Sequence, residues 1–193
     1  MRARVSSASK RAAVPVLEQS GSGSQNRHQI IAGVDPSLRG TGYGIIRLAK
    51  PHPVVLAHGT IRCPAGWDRS QCLVRIAQTL REVLRQYKPT ACVMEGLFFA
   101  QNLQTAIVMG EARGASMVTA AEAGLEIFEI AARKVKQAIV GYGGAQKLAV
   151  AKMVQRMLQL AETPEPDAAD ALALALAFAH ETSRYTFAAP KKI

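Results

Sequence analysis

Residues 30–48 read Ile-Ile-Ala-Gly-Val-Asp-Pro-Ser-Leu-Arg-Gly-Thr-Gly-Tyr-Gly-Ile-Ile-Arg-Leu. The apolar run from Ile30 closes on Asp35 and Pro36, the glycine-spaced stretch from Gly40 to Gly44 turns, and a second apolar run begins at Ile45. This pattern predicts a hairpin whose first strand is buried and ends on a carboxylate. An Asx-turn after the strand is the plain alternative role for Asp35.

Working outward, Val54 to Ile61 predicts a third strand. Asp68 to Tyr87 has apolar residues at helical spacing (Leu73, Ile76, Leu80, Leu84) and stops before Pro89. Ala91 to Met94 reads as a compact central strand that delivers Glu95 at its C-terminal end, where open α/β sheets place their sites. A helix from Gln101 to Ala123 carries Leu103, Ile107, Gly110, Gly114, Met117 and Ala121 on one stripe. Ile127 to Ile130 predicts a fifth strand, Ala131 to Val140 a short basic helix, and Gly141 to Gly144 a mobile loop. Two further helices follow, Ala145 to Leu160 and Asp167 to about Thr182. The expected fold class is α/β, a five-stranded mixed sheet flanked by helices.

Residues 1–28 differ from the rest, with Arg2, Arg4, Lys10, Arg11 and Arg27 against the single acid Glu18. They are expected to be a disordered basic extension, and an organellar transit peptide has the same Arg- and Ser-rich, acid-poor character. The folded body is then expected to cover 29–184 and a flexible tail 185–193. The 193 residues carry 24 Lys and Arg against 14 Asp and Glu, a net charge of +10 that favours a polyanionic partner, nucleic acid ahead of a membrane. Cys63, Cys72 and Cys92 have neither disulfide-framework nor zinc spacing. The apolar run from Ala171 to Ala179 is too short to cross a bilayer, and a soluble protein of a reducing, intracellular compartment is expected.

Four acids carry the chemistry. Asp35 and Glu95 end strands, and Asp167 and Asp170, three apart behind Pro166, share one side of a helix start. Each is embedded in apolar sequence, where an isolated carboxylate would gain a proton or a partner. A fold that brings strand ends and a helix start together would gather all four, and two divalent metals about 3.5–4 Å apart would neutralise them and hydrolyse a phosphodiester. Arg133, Lys134, Lys136 and Lys147 surround the loop at 141–144, where they bind phosphate or form an ordinary solvated face. Phe98 and Phe99 follow Glu95, as core or as a wedge for an opened base stack. Trp67 and the histidines have no ligand spacing.

These residues resemble the RuvC-type Holliday junction resolvases, of ribonuclease H-like fold. The resemblance runs from about Ile30 to Thr182 through D-P-S-L-R-G-T-G-Y-G, E-G-L-F-F-A-Q-N, G-E-A-R-G, A-A-R-K-V-K-Q-A-I-V-G, G-A-Q-K and D-A-A-D-A-L-A-L-A. It implies a crossover junction endodeoxyribonuclease that binds four-way DNA and makes paired symmetric nicks in recombination and repair. Asp35, Glu95, Asp167 and Asp170 would be its ligands for two Mg2+ or Mn2+ ions. Lys136 and Lys147 would stand near the scissile phosphate, Lys147 as a catalytic residue, and Phe98, Arg113, Arg133 and Lys134 would contact DNA. It also implies a homodimer, with the helix at 101–123 as dimer element, the branch-migration proteins RuvA and RuvB as partners, and the bacterial cytoplasm as location. Ser37 stands where the family usually has Gly, and Gln101 where it often has Lys. A nuclease trimming structured RNA, a non-catalytic branched-DNA-binding protein and an actin-like nucleotide-binding domain are the rival readings.

Overall fold

The computed structural model describes residues 28–96, 102–183 and 190–193. Strands β1 (Ile30–Asp35), β2 (Gly40–Arg47) and β3 (Val54–Arg62) form an antiparallel meander. Helix α1 (Arg69–Tyr87) crosses to β4 (Ala91–Glu95), which pairs parallel with β1, and α2 (Leu103–Glu122) crosses to β5 (Glu126–Ile130), parallel to β4. Helices α3 (Ala132–Val140), α4 (Lys147–Met157) and α5 (Pro166–Ser183) follow. The sheet order is β3-β2-β1-β4-β5-β6.

The sixth strand corrects the expectation at the C-terminus. Lys191–Lys192 (β6) pairs antiparallel with β5, and Lys192 Nζ lies 2.7 Å from Glu126 Oε2, so these residues are held to the sheet. The other boundary moves as well. His28, assigned from sequence to the extension, is buried, and its Nδ1 is hydrogen-bonded to Thr90 Oγ1 at 3.1 Å.

Alternation along the central strands builds two cores. Ala32, Val34, Cys92 and Met94 face Ile76, Leu80 and Leu84 of α1 and Ala112 of α2. Ile31, Ile46 and Val93 face α5, whose Leu172, Leu176 and Phe178 are fully buried. Each such side chain contributes about 1.5–3 kcal/mol through burial. A helix this apolar on all sides belongs inside a fold, here between the sheet and the pair α3 and α4.

Gly40 to Gly44 proves to be strand rather than turn. The glycines are there because α5 lies directly on the sheet. A Cβ on Gly42 would run into the Asp167 carbonyl, one on Gly33 into the Ala171 carbonyl, and one on Gly44 would come within 2.7 Å of Leu172 Cδ2. Without side chains at these points the backbones meet. The start of α5 is thereby pressed against the end of β1.

The structure gives a direction to the stripe on α2, which the sequence left open between dimer contact and core. Leu103 (77% exposed), Ile107 (48%) and Val118 (57%) point outward, and a Cβ on Gly110 or Gly114 would meet nothing within 4 Å. The helix packs inward through Ala112, Ser116, Thr119 and Ala120.

Candidate active site

Asp35 closes β1 and Glu95 closes the adjacent parallel strand β4, so both carboxylates leave the same end of the sheet. Asp167 and Asp170 reach that end from α5, across the glycine contact just described. The four line one cleft of about 360 Å³ together with Lys136 of α3 and Lys147, the first residue of α4. The turn after Asp35 is fastened by Thr41, whose hydroxyl donates to the Ser37 carbonyl at 2.6 Å and accepts from the Ser37 N–H at 3.2 Å. Thr41 is fully buried, and this tie was not visible in the sequence.

Electrostatics in the cleft are dominated by negative charge in partial shelter from water. Burial, then the charges of Asp170 and Glu95, push the Asp35 carboxyl from 3.8 up to about 7, against the opposing pull of Lys147. Glu95 is raised by burial and then by Asp170, with Lys147, Lys136 and Arg113 acting the other way. Lys147 Nζ donates to Asp170 Oδ2 at 2.9 Å, and this bond raises the pKa of the ammonium.

Arg113, which the resemblance places at the DNA, lines a second cavity with Arg133 and Lys134 and is tied to β4 and β5. It is only 8% exposed; one terminal nitrogen donates to the Glu95 carbonyl and the other lies 2.6 Å from Glu129 Oε2. The guanidinium ties the end of β4 to β5. Glu129, its partner on β5, carried no signal in the sequence. The second cavity, of about 660 Å³, opens beside the first and shares Asp35 and Glu95 with it. Phe98, Phe99 and Gln101 lie outside the described residues.

The donors facing the cleft are all oxygen, with neither thiolate nor imidazole, which suits a hard divalent cation. One lysine ion pair balances only part of the four acids, and the elevation of Asp35 and Glu95, to which burial and then Asp170 contribute most, is relieved by added positive charge. Among the described residues no three Asp, Glu, His or Cys side chains stand close enough to hold one ion as they are. The residues fit such an ion by chemistry and by shared cleft, with side-chain rotation needed to close on it.

Comparison with known proteins agrees with this architecture. The family model described as crossover junction endodeoxyribonuclease RuvC matches residues 31–180. The RuvC of Pasteurella multocida is 46% identical over 151 residues, covering 78% of this chain and 79% of the relative. That of Rubrobacter xylanophilus is 42% identical over 167 residues, covering 85% and 93%. Among solved structures, Thermus thermophilus RuvC in complex with Holliday junction substrate superposes with a TM-score of 0.78 at 32% identity, covering 86% of this chain and all of that one. The yeast mitochondrial resolvase Ydc2, at 9% identity and a TM-score of 0.53, shares the fold alone. The domain is therefore an α/β domain of the ribonuclease H-like class, its mixed sheet having six strands where five were expected. Within that class the chain belongs to the RuvC family of crossover junction endodeoxyribonucleases.

Proposed function

We propose that this endonuclease resolves four-way DNA junctions by paired, symmetric nicks in recombination and repair, working as a homodimer. The observation that carries the reading is the convergence of Asp35, Glu95, Asp167 and Asp170, from three distant segments, on one cleft beside Lys136 and Lys147. It is supported by the likeness to a relative solved with junction substrate.

Asp35, Glu95, Asp167 and Asp170 would hold two Mg2+ or Mn2+ ions. Such ions, when bound, supply the positive charge that eases deprotonation of an attacking water and offsets the departing 3′ oxygen. Asp35 serves in its ionised form, so its proton must leave before the site is competent. Lys147, held in place by Asp170, directs its ammonium at the phosphate and balances charge that accumulates on it during displacement. Lys136 lines the same cleft. Arg133 and Lys134, at the adjoining cavity, contact flanking phosphates, and Phe98 wedges the base stack at the crossover. Hydrolysis leaves a 5′ phosphate and a 3′ hydroxyl that ligase can seal.

The outward apolar stripe of α2 supports the homodimer, because two such faces related by a twofold axis match a junction of approximate twofold symmetry. RuvA and RuvB are the branch-migration partners and the bacterial cytoplasm the compartment in this reading. No helix among the described residues is long and apolar enough to cross a membrane.

The test is a nicking assay on a synthetic immobile junction, with linear duplex and an RNA hairpin alongside, with and without Mg2+. Asp170→Asn should abolish cleavage while junction binding persists. Wild-type cutting by that variant would overturn the assignment, as would preference for the hairpin.

A further inference from the structure

The carboxylate end of the sheet carries a second surface that the cleft does not use. After β3 the chain passes through Cys63, Pro64 and Trp67 before α1 begins, and a groove of about 370 Å³ runs along the solvent side of α1. Its lining is Trp67, Ser70, Gln71, Val74, Arg75 and Gln78. Trp67 is 39% exposed and Val74 53%, although the opposite side of the same helix is fully buried at Ile76.

This surface is fastened to the cleft. Arg39, in the turn between Asp35 and β2, donates to the Pro64 carbonyl at 2.6 Å and to Cys72 Sγ at 3.3 Å, and its own carbonyl accepts from the Cys63 N–H. The Trp67 N–H donates in turn to the Pro64 carbonyl at 3.1 Å. A ligand seated on Trp67 is thus held in a fixed relation to Asp35.

The groove offers a guanidinium, two amides, a hydroxyl and an indole with its N–H, and no carboxylate. Such donors beside an aromatic plane suit sugar and phosphate. From residue 62 to 75 the chain has Arg62, Arg69 and Arg75 against the single acid Asp68. Arg62 pairs with Glu165 and Arg69 with Glu111, while Arg75 forms no ion pair among the described residues. Donor-rich lining, a basic segment and placement at the cutting end favour duplex DNA over a partner protein.

We propose that the Trp67–Arg75 face of α1 binds the sugar–phosphate backbone of a duplex arm leaving the junction. This rests on the junction-cutting reading above.

Trp67 is the only tryptophan in the chain, so its emission reports on this face alone. Full-length protein would be titrated with an immobile junction while tryptophan emission and the anisotropy of a dye on the DNA are followed together. The expected result is quenching that saturates with binding, and for Arg75→Ala a weakening of about three- to tenfold with the salt dependence reduced by about one phosphate contact. Arg75→Lys should restore the salt dependence, which a merely structural role would not do. If the junction is bound and cut while emission and the Arg75→Ala salt dependence stay at wild type, the arm contact is overturned and the cleft reading stands. If the junction is not bound at all, both fail.

Discussion

The Lys147 ammonium lies 2.9 Å from Asp170 Oδ2, joining the first residue of α4 to the start of α5 across the mouth of the cleft. It is the one cation in direct contact with the four acids among the described ion pairs, and its charge works against the elevation of both Asp35 and Glu95.

Lys147→Ala should therefore do two things. Cleavage of a saturating junction should fall by about 10²-fold, the scale for losing one charge aimed at a transition state. The acidic limb of the pH–rate profile should also move to higher pH, because Asp35 and Glu95 lose an opposing charge. A slower variant with an unmoved limb would confine Lys147 to the phosphate.

Asp35 makes stability depend on pH in a specific direction. Its carboxyl titrates at about 7 in the folded protein and at 3.8 when unperturbed. Between those values the folded state keeps a proton that the unfolded chain has released, so stability falls as pH rises through the window and levels off above it. The whole effect is at most about 4 kcal/mol at 1.36 kcal/mol per pH unit. Thermal melts in chelator at about pH 5 and about pH 8 should show the loss in the wild type and a smaller one in Asp35→Asn. Mg2+ should stabilise the wild type more at the higher pH.

Arg113→Met should leave Glu129 without its partner and the Glu95 carbonyl without its donor. Breaking a sheltered pair from one side costs about 3–5 kcal/mol, and Glu129 is partly exposed, so the lower end is expected in denaturant unfolding. Cleavage should fall more than junction affinity, since the group holds the Glu95 carbonyl. Equal losses of both would point to direct DNA contact.

Gly42→Ala should be costly out of proportion to one methyl. Its Cβ meets the Asp167 carbonyl, a backbone atom that moves only with α5, so a loss of about 3 kcal/mol or more is expected, beyond ordinary overpacking. Gly66→Ala, exposed and with open space around it, should stay within about 0.5 kcal/mol of wild type. Differential scanning calorimetry on the pair separates a close backbone approach from a generic glycine effect.

Most elements were legible, and so was the gathering of the four acids at one cleft, because apolar runs ending on Asp35 and Glu95 report strand ends and Pro166 marks a helix start. What stayed hidden were relations across the fold. Gly40 to Gly44 read as a turn because glycine breaks local order, and only contact with α5 shows why a strand needs it. For Arg113 the sequence offered only a DNA contact by resemblance, because nothing local announces that Glu129 and the Glu95 carbonyl are its partners across the fold. Helix α2 revealed its small residues and not their direction, for an exposed and a buried stripe have the same period. Lys191 and Lys192 looked like a charged end until β5 supplied a partner.

Three strand positions without side chains set how near α5 can settle on the sheet, and that separation fixes how far Asp167 and Asp170 stand from Asp35 and Glu95. The calibre of the cavity is thus governed by residues that bear no functional group. An engineer wishing to retune it for a larger ion would start by adding bulk at Gly44, where the first atom met belongs to the Leu172 side chain, leaving every carboxylate untouched.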